Sequence, residues 1–238
     1  MSERAAIARR AISLIDLTDL SDEPTEAAID ALCERATFAG TAAVCVWPGF
    51  VAQCKRHDVR VATVVNFPGG GEDISATVVE TGRAVDVGAD EIDLVLPYHA
   101  FLEGRIGDAA TMVTAIRNVS GGAHLKVILE SGSYPTLDHV RAAARLAIDH
   151  GADFVKTSTG KTSVSATLAA SVMILDAIRE SAADRQVGFK PSGGIRTLDE
   201  AARYLAVADE MMGRDWATPD TFRFGASGLL DALEAELV

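Results

Sequence analysis

Along the whole chain, short runs of apolar and β-branched residues alternate with longer stretches in which apolar positions recur every three or four residues. The first pattern belongs to strands buried on both faces, the second to helices that bury one face. Their alternation points to βα units around a parallel sheet. Eight strand candidates follow: Leu14–Thr18, Ala42–Trp47, Val61–Phe67, Glu91–Leu96, Leu125–Glu130, Phe154–Ser158, Val187–Lys190 and Arg223–Ala226. Between them, Pro135 introduces Leu137, Val140, Ala144 and Ile148 in helical phase, and Thr197 stands three residues before Glu200 as a capping box. The segment after Thr162 sets Leu168, Val172, Leu175 and Ile178 on one helical face. Eight such units without a break in composition predict an α/β fold, a single (β/α)8 TIM barrel spanning residues 1–238, rather than an open doubly wound sheet.

Composition agrees with one sizeable core: 238 residues, 48% hydrophobic and 24% charged. No apolar run approaches the roughly 18 residues that span a bilayer, so no membrane partner is expected. Met1 to Arg10 carries positive charge, but Asp16, Asp19 and Asp22 interrupt what would be the apolar core of a signal peptide, and no targeting segment is visible. Cys33, Cys45 and Cys54 form no C-x-x-C pair and lie in helix- or strand-like segments, which fits a reducing cytosol. The net charge of −12 argues against nucleic acid, since affinity for a phosphate backbone comes from clustered Lys and Arg. An anionic substrate needs a local positive site.

Of 22 basic residues only five are lysine: Lys55, Lys126, Lys156, Lys161 and Lys190. Arg is this chain's ordinary cation, so a Lys either marks a place where an amine is required or reflects mutational scatter among cations: guanidinium stays protonated, whereas an ammonium loses its proton readily on burial. Barrel enzymes work at the C-terminal ends of their strands. Read in order, those positions are Asp16 and Thr18, Cys45, Asn66, Asp93, Lys126 and Glu130, Lys156 to Lys161, Lys190 to Gly194, and Gly225 to Gly228, and they take in four of the five lysines. Phe154-Val-Lys156 ends an apolar strand with an amine, the placement of a Schiff-base lysine. Lys190, one strand on, lies close enough for repulsion to favour loss of a proton. Asp93 offers a carboxylate to neutralise the pair and relay protons, and Asp16 and Thr18 either extend this polar network or cap the loop that follows them. A core salt bridge from Lys156 to Asp93 or Glu130 is the competing reading.

Three glycine-containing turns, Thr159-Gly-Lys161, Pro191-Ser-Gly-Gly194 and Gly225-Ala-Ser-Gly228, suggest phosphate binding, because glycine lets backbone N–H groups approach an oxyanion. Gly160-Lys-Thr162 is not a Walker A ending, since Val155 stands where that motif needs glycine. Gly69 to Gly71 before Asp73 reads as a turn with a helix cap, Cys45 as core, and Trp47 and Phe189 as pocket lining or packing. The five histidines lack metal-ligand spacing, so no metal is expected.

These residues together resemble the deoxyribose-phosphate aldolases over nearly the whole chain. The resemblance rests on Leu14-Ile-Asp-Leu-Thr18, Ala43-Val-Cys-Val46, Val64-Val-Asn-Phe-Pro68, Ala89-Asp-Glu-Ile-Asp93 with Pro97-Tyr98, and Lys126-Val-Ile-Leu-Glu130. Ala152-Asp-Phe-Val-Lys-Thr-Ser-Thr-Gly-Lys161, Gly188-Phe-Lys-Pro-Ser-Gly-Gly194 and Phe222-Arg-Phe-Gly-Ala-Ser227 complete it. It implies a cytoplasmic enzyme of deoxyribonucleotide catabolism, a class I aldolase that reversibly cleaves 2-deoxy-D-ribose 5-phosphate to acetaldehyde and D-glyceraldehyde 3-phosphate without a cofactor. It also implies an imine on Lys156, perturbation by Lys190, a proton relay through Asp93, and phosphate contacts at Gly160, Lys161, Gly193, Gly194, Gly225 and Ser227. The expected partners are a small sugar phosphate and an aldehyde, with a homodimer as the expected assembly. Two departures stand out: Gly228 replaces a frequent second serine, and the chain ends at Val238, in what reads as the last helix, without a terminal tyrosine tail. A related aldolase with another small aldehyde acceptor, a metal-dependent aldolase and a non-catalytic sugar-phosphate-binding barrel are the competing functions.

Overall fold

The computed structural model describes residues 2–237. Its strands are β1 (Ile15–Asp19), β2 (Ala43–Val46), β3 (Val61–Val65), β4 (Glu91–Val95), β5 (His124–Ile128), β6 (Phe154–Lys156), β7 (Gly188–Lys190) and β8 (Phe224–Ala226). All eight predicted strands are present, most of them shorter by one to a few residues at their ends, where backbone turns towards the loops. They pair in parallel in the order β7-β6-β5-β4-β3-β2-β1-β8. Backbone bonds close the remaining seam. The Phe189 amide donates to the Thr221 carbonyl at 2.8 Å, Arg223 to Phe189 at 3.0 Å and Gly225 to Pro191 at 3.0 Å.

Around the barrel lie α1 (Glu3–Ile12), α2 (Glu26–Ala39), α3 (Val51–Cys54), α4 (Ile74–Asp86), α5 (Tyr98–Leu102), α6 (Ile106–Val119), α7 (Leu137–Asp149), α8 (Leu168–Arg179), α9 (Leu198–Met212) and α10 (Leu229–Glu234). Side-chain caps start several of them: Thr25 accepts from the Ala28 amide, Asp73 from Ala76, Thr167 from Ala170, and Thr197 with Glu200 forms the predicted capping box. On α7, Val140, Ala144 and Ile148 are buried as expected, but Leu137, in the first turn, stays 44% exposed. The charged N-terminal stretch forms α1, which precedes the barrel and buries Ala5, Ala8, Ala11 and Ile12. The last helix ends at Glu234, followed by a 3-10 turn to Leu237, and Val238 lies outside the described residues. No described helix is long and apolar enough to cross a membrane.

Strand alternation divides the protein into two interiors. On β4, Ile92 and Leu94 face the helices while Glu91 and Asp93 face the lumen; on β5, Leu125 and Val127 face out and Lys126 faces in. The large apolar core lies between sheet and helices, and a small separate cluster of Leu20, Cys45, Ala62 and Val64 sits at the lumen with Trp47 and Phe67 against it. Trp47 packs edge-on to Phe67, whereas Phe189 packs edge-on to Phe222 within the large core.

Candidate active site

Seven buried charged side chains meet in the lumen: Asp16 from β1, Glu91 and Asp93 from β4, Lys126 from β5, Lys156 from β6, Lys190 from β7 and Arg223 beside β8. Ions at such depth persist only when paired and fully hydrogen-bonded. Asp93 is the hub. Its Oδ2 accepts from Lys156 Nζ at 2.8 Å and from Lys190 Nζ at 2.8 Å, and its Oδ1 accepts from Lys126 Nζ at 3.0 Å. Lys190 also donates to Asp16, and Lys126 also donates to Glu91. Arg223 donates to Asp16 and, at 2.8 Å, to Glu91, and its guanidinium lies over the Phe154 ring.

The two amines on adjacent strands therefore share one carboxylate oxygen, yet they differ in protonation. Burial lowers the Lys156 pKa and the Lys190 ammonium lowers it further, against the pull of Asp93, and the net shift is downward. Burial acts on Lys190 too, but Asp16 and Asp93 outweigh it and hold that amine protonated. Lys126 is likewise raised, because Asp16, Asp93 and Glu91 overcome the effect of its burial. Burial opposes ionisation of Asp93, but Lys126, Lys156 and Lys190 keep it well below the usual carboxylate range. Burial raises the neighbouring Cys45 thiol, and its strand position is that of a core residue.

Above Lys156 opens a cavity of about 350 Å³, lined on one side by Thr18 to Ser21 and on the other by three loops carrying Thr159 to Lys161, Ser192 to Arg196 and Gly225 to Gly228. Every glycine, lysine and serine singled out for phosphate lines it: Gly160, Lys161, Gly193, Gly194, Gly225, Ser227 and Gly228. Two of the glycines are sterically required. A Cβ at Gly225 would lie 2.4 Å from Ser192 Oγ and 3.1 Å from Lys190 Cε, and one at Gly193, whose φ is +85°, would lie 2.6 Å from Ser165 Oγ. The loops are cross-braced: Ser158 Oγ donates to the Ser192 carbonyl at 2.6 Å, and the Ser192 amide donates to Thr157 Oγ1 at 2.9 Å.

Several expectations change in detail. Thr18 lines the cavity, but its hydroxyl donates to the Asp16 carbonyl at 2.8 Å and touches no charged group, because it stands two residues nearer the mouth than Asp16. Asp16 itself is fully buried in the network and caps nothing. Lys126 occupies the middle of β5 rather than its end, so its ammonium reaches Glu91 below the mouth. Glu130 does not pair with Lys156. It accepts from Thr159 and Thr162 and fixes the loop after β6. The Lys161 ammonium crosses the cavity rim to the Leu20 carbonyl at 2.8 Å. Asp73 caps α4, which is the cap read for the turn at Gly69 to Gly71. Sequence reasoning assigned no role to Glu91, Arg223, Ser192 or Arg196; strand parity alone could have directed Glu91 inward beside Asp93. Among the described residues, no three His, Cys, Asp or Glu side chains group as metal ligands.

A closed parallel barrel with a depressed, buried amine at the foot of a glycine-lined cavity defines a barrel enzyme equipped for carbonyl chemistry. The DeoC/LacD family aldolase profile matches residues 10–234, and the chain belongs to that family. Over 228 residues it is 50% identical to a deoxyribose-phosphate aldolase of Agrobacterium fabrum, covering 92% of this chain and 87% of that one. A structure from Toxoplasma gondii ME49, assigned as a deoxyribose-phosphate aldolase, superposes with a TM-score of 0.89 at 26% identity, covering 98% of this chain and 95% of that one. One from Coccidioides immitis, assigned likewise, gives 0.85 at 30% identity, covering 97% and 87%.

Proposed function

We propose that this chain, as one barrel domain over residues 1–238, cleaves 2-deoxy-D-ribose 5-phosphate reversibly to acetaldehyde and D-glyceraldehyde 3-phosphate through an imine on Lys156. The observation that carries the reading is the environment of Lys156: a buried amine with a lowered pKa, in contact with one carboxylate and facing the cavity. Its neutral form attacks C1 of the open-chain sugar, and loss of water from the carbinolamine gives the protonated imine. As the C2–C3 bond breaks, the electron pair moves into the imine and the C3 hydroxyl gives up its proton, so glyceraldehyde 3-phosphate leaves and an enamine remains. Protonation at C2 and hydrolysis then release acetaldehyde and restore the amine. Asp93, bonded to both lysines, is placed to relay these protons through water, and Lys190 keeps the neighbouring amine short of a proton. At the other end of the cavity, the turns at Gly160, Gly193, Gly194, Gly225 and Gly228 with Ser227 and Lys161 receive the phosphate; the Gly225 amide is already given to the Pro191 carbonyl, so that glycine contributes room for the anion rather than a donor.

Treatment with acetaldehyde and borohydride is expected to inactivate the protein and leave a two-carbon adduct on Lys156, with activity unaffected by EDTA. An adduct confined to Lys190, or EDTA inactivation reversed by zinc, overturns the reading. A retro-aldol assay with phosphate-free deoxyribose as control tests the substrate. A cytoplasmic location is proposed on the three cysteines, all buried free thiols. A homodimer is proposed as well, with Phe38, 91% exposed on α2, as an aromatic side chain that an interface would cover; sedimentation analysis checks it.

A further inference from the structure

Six of the seven lumen charges form a closed ring of alternating sign. Asp16 Oδ1 meets Arg223 and Oδ2 meets Lys190; Asp93 Oδ2 meets Lys190 and Oδ1 meets Lys126; Glu91 Oε2 meets Lys126 and Oε1 meets Arg223. Each of the three cations thus bridges two carboxylates, each of the six carboxylate oxygens meets a ring cation, and within the ring three anions balance three cations. Arg60, at the half-exposed outer edge, reaches Glu91 Oε1 at 3.4 Å from outside the ring. Lys156 stands outside the ring, bonded to Asp93 Oδ2, an oxygen that Lys190 already occupies. Lys126 does not line the cavity, and its side chain is fully buried.

We propose that Lys126 is a positioning residue for the reaction: by occupying Asp93 Oδ1 and closing a neutral ring, it leaves Lys156 as the surplus cation, the amine that releases its proton. This rests on the reading of Lys156 as the imine-forming residue. The groups facing Lys156 are Asp93 from β4, Lys190 from β7, Cys45 from β2 and, one contact further away, Lys126 from β5 and Asp16 from β1. Of these, Asp93 does most to hold the Lys156 proton on, with Cys45 a smaller contributor, and how strongly Asp93 does so depends on how many other cations share it. Without Lys126, Oδ1 becomes free, Asp93 divides its charge between two cations instead of three, and Lys156 stays protonated to higher pH. Removing Glu91 has the opposite sign, because it strips an anion from the ring without touching Lys156.

The test is the acidic limb of the pH profile of kcat/KM, which reports ionisation in the free enzyme. Lys126→Met is expected to move that limb up by about one to two pKa units, with about a tenfold or greater loss below it and recovery above it. Glu91→Gln is expected to move it down. A merely structural disturbance would move both limbs the same way or neither, and either result overturns the proposal. If Lys126→Met does not fold, as judged by circular dichroism, Glu91→Gln decides alone: a downward shift supports the ring, and an unmoved or raised limb refutes it. Borohydride trapping with acetaldehyde is run on each protein in parallel. Adducts on Lys156 throughout, with unmoved limbs, reject the inference and leave the imine assignment standing; no adduct on wild-type Lys156 rejects both.

Discussion

The two interiors of this barrel are built on opposite principles. Between sheet and helices, Ile92, Leu94, Leu125, Val127 and Val155 join one continuous apolar core. On the inner face of the same strands, Glu91, Asp93, Lys126 and Lys156 lie under the site, buried to the same degree. The outer layer contributes stability through removal of apolar surface from water and tolerates adjustment of shape. The lumen has to satisfy every charge at once, and it gains from this what an apolar core cannot supply: an amine whose protonation is set by fixed neighbours. The difference shows how one strand, alternating residue by residue, serves stability on one face and chemistry on the other.

The sharpest way to break the comparison is to change one residue of each interior and read both activity and stability. Asp93→Asn keeps shape but removes the hub carboxylate, and kcat is expected to fall by about 10²- to 10⁴-fold. Leu125→Ala, one residue from Lys126 on the outer face, is expected to cost about 2–5 kcal/mol in denaturant unfolding with little change in kcat per folded molecule. An Asp93→Asn enzyme with near-normal kcat would remove the relay role.

Acid separates the interiors more gently. For Asp16, Glu91 and Asp93, burial opposes ionisation but the surrounding cations outweigh it, and each pKa lies below its ordinary value. The folded state therefore binds fewer protons than the unfolded chain. The stability these groups contribute is complete above the ordinary carboxylate range, about pH 4, and is lost as pH falls from there towards their folded-state values. Urea unfolding at a series of pH values should show that loss, and Asp16→Asn should flatten the slope. An unchanged slope would mean that the lumen carboxylates do not govern acid unfolding.

The smallest effect concerns the phosphate end. Gly228 has φ −115° and open space where a Cβ would stand, so serine fits without strain. An added hydrogen bond to a charged group is worth at most about 1.5–3 kcal/mol, reduced where water already fills the place. Gly228→Ser is expected to lower KM for deoxyribose 5-phosphate by a few-fold, on the order of half to one kcal/mol, and to leave phosphate-free deoxyribose nearly unaffected. Equal improvement with both sugars would move the phosphate site elsewhere.

Much of this was legible in the chain. Eight short apolar runs marked the strands, Thr197 with Glu200 marked a helix start, and the scarcity of lysine directed attention to Lys156 and Lys190. The glycine turns were legible because their positions after strands 6, 7 and 8 place them on one rim. Arg223 was not, because it precedes β8 by one residue and reads as a strand end rather than a lumen cation. Glu91 and Lys126 were visible as charges in strands, but their pairing was not, since neither is close in sequence to Asp16 or Arg223.

By itself, the sequence determined which residues share a face within each strand, because side-chain direction along a strand follows a period of two that local pattern reveals. Only the tertiary structure decided which inward charges meet. Closure brings β8 beside β7 and β1, so that Arg223 reaches both Asp16 and Glu91 and the chain of ion pairs becomes a ring. Protonation of Lys156 depends on the sum of those distances in a medium that screens weakly, and a sum over three-dimensional neighbours is not written in the order of residues along the chain.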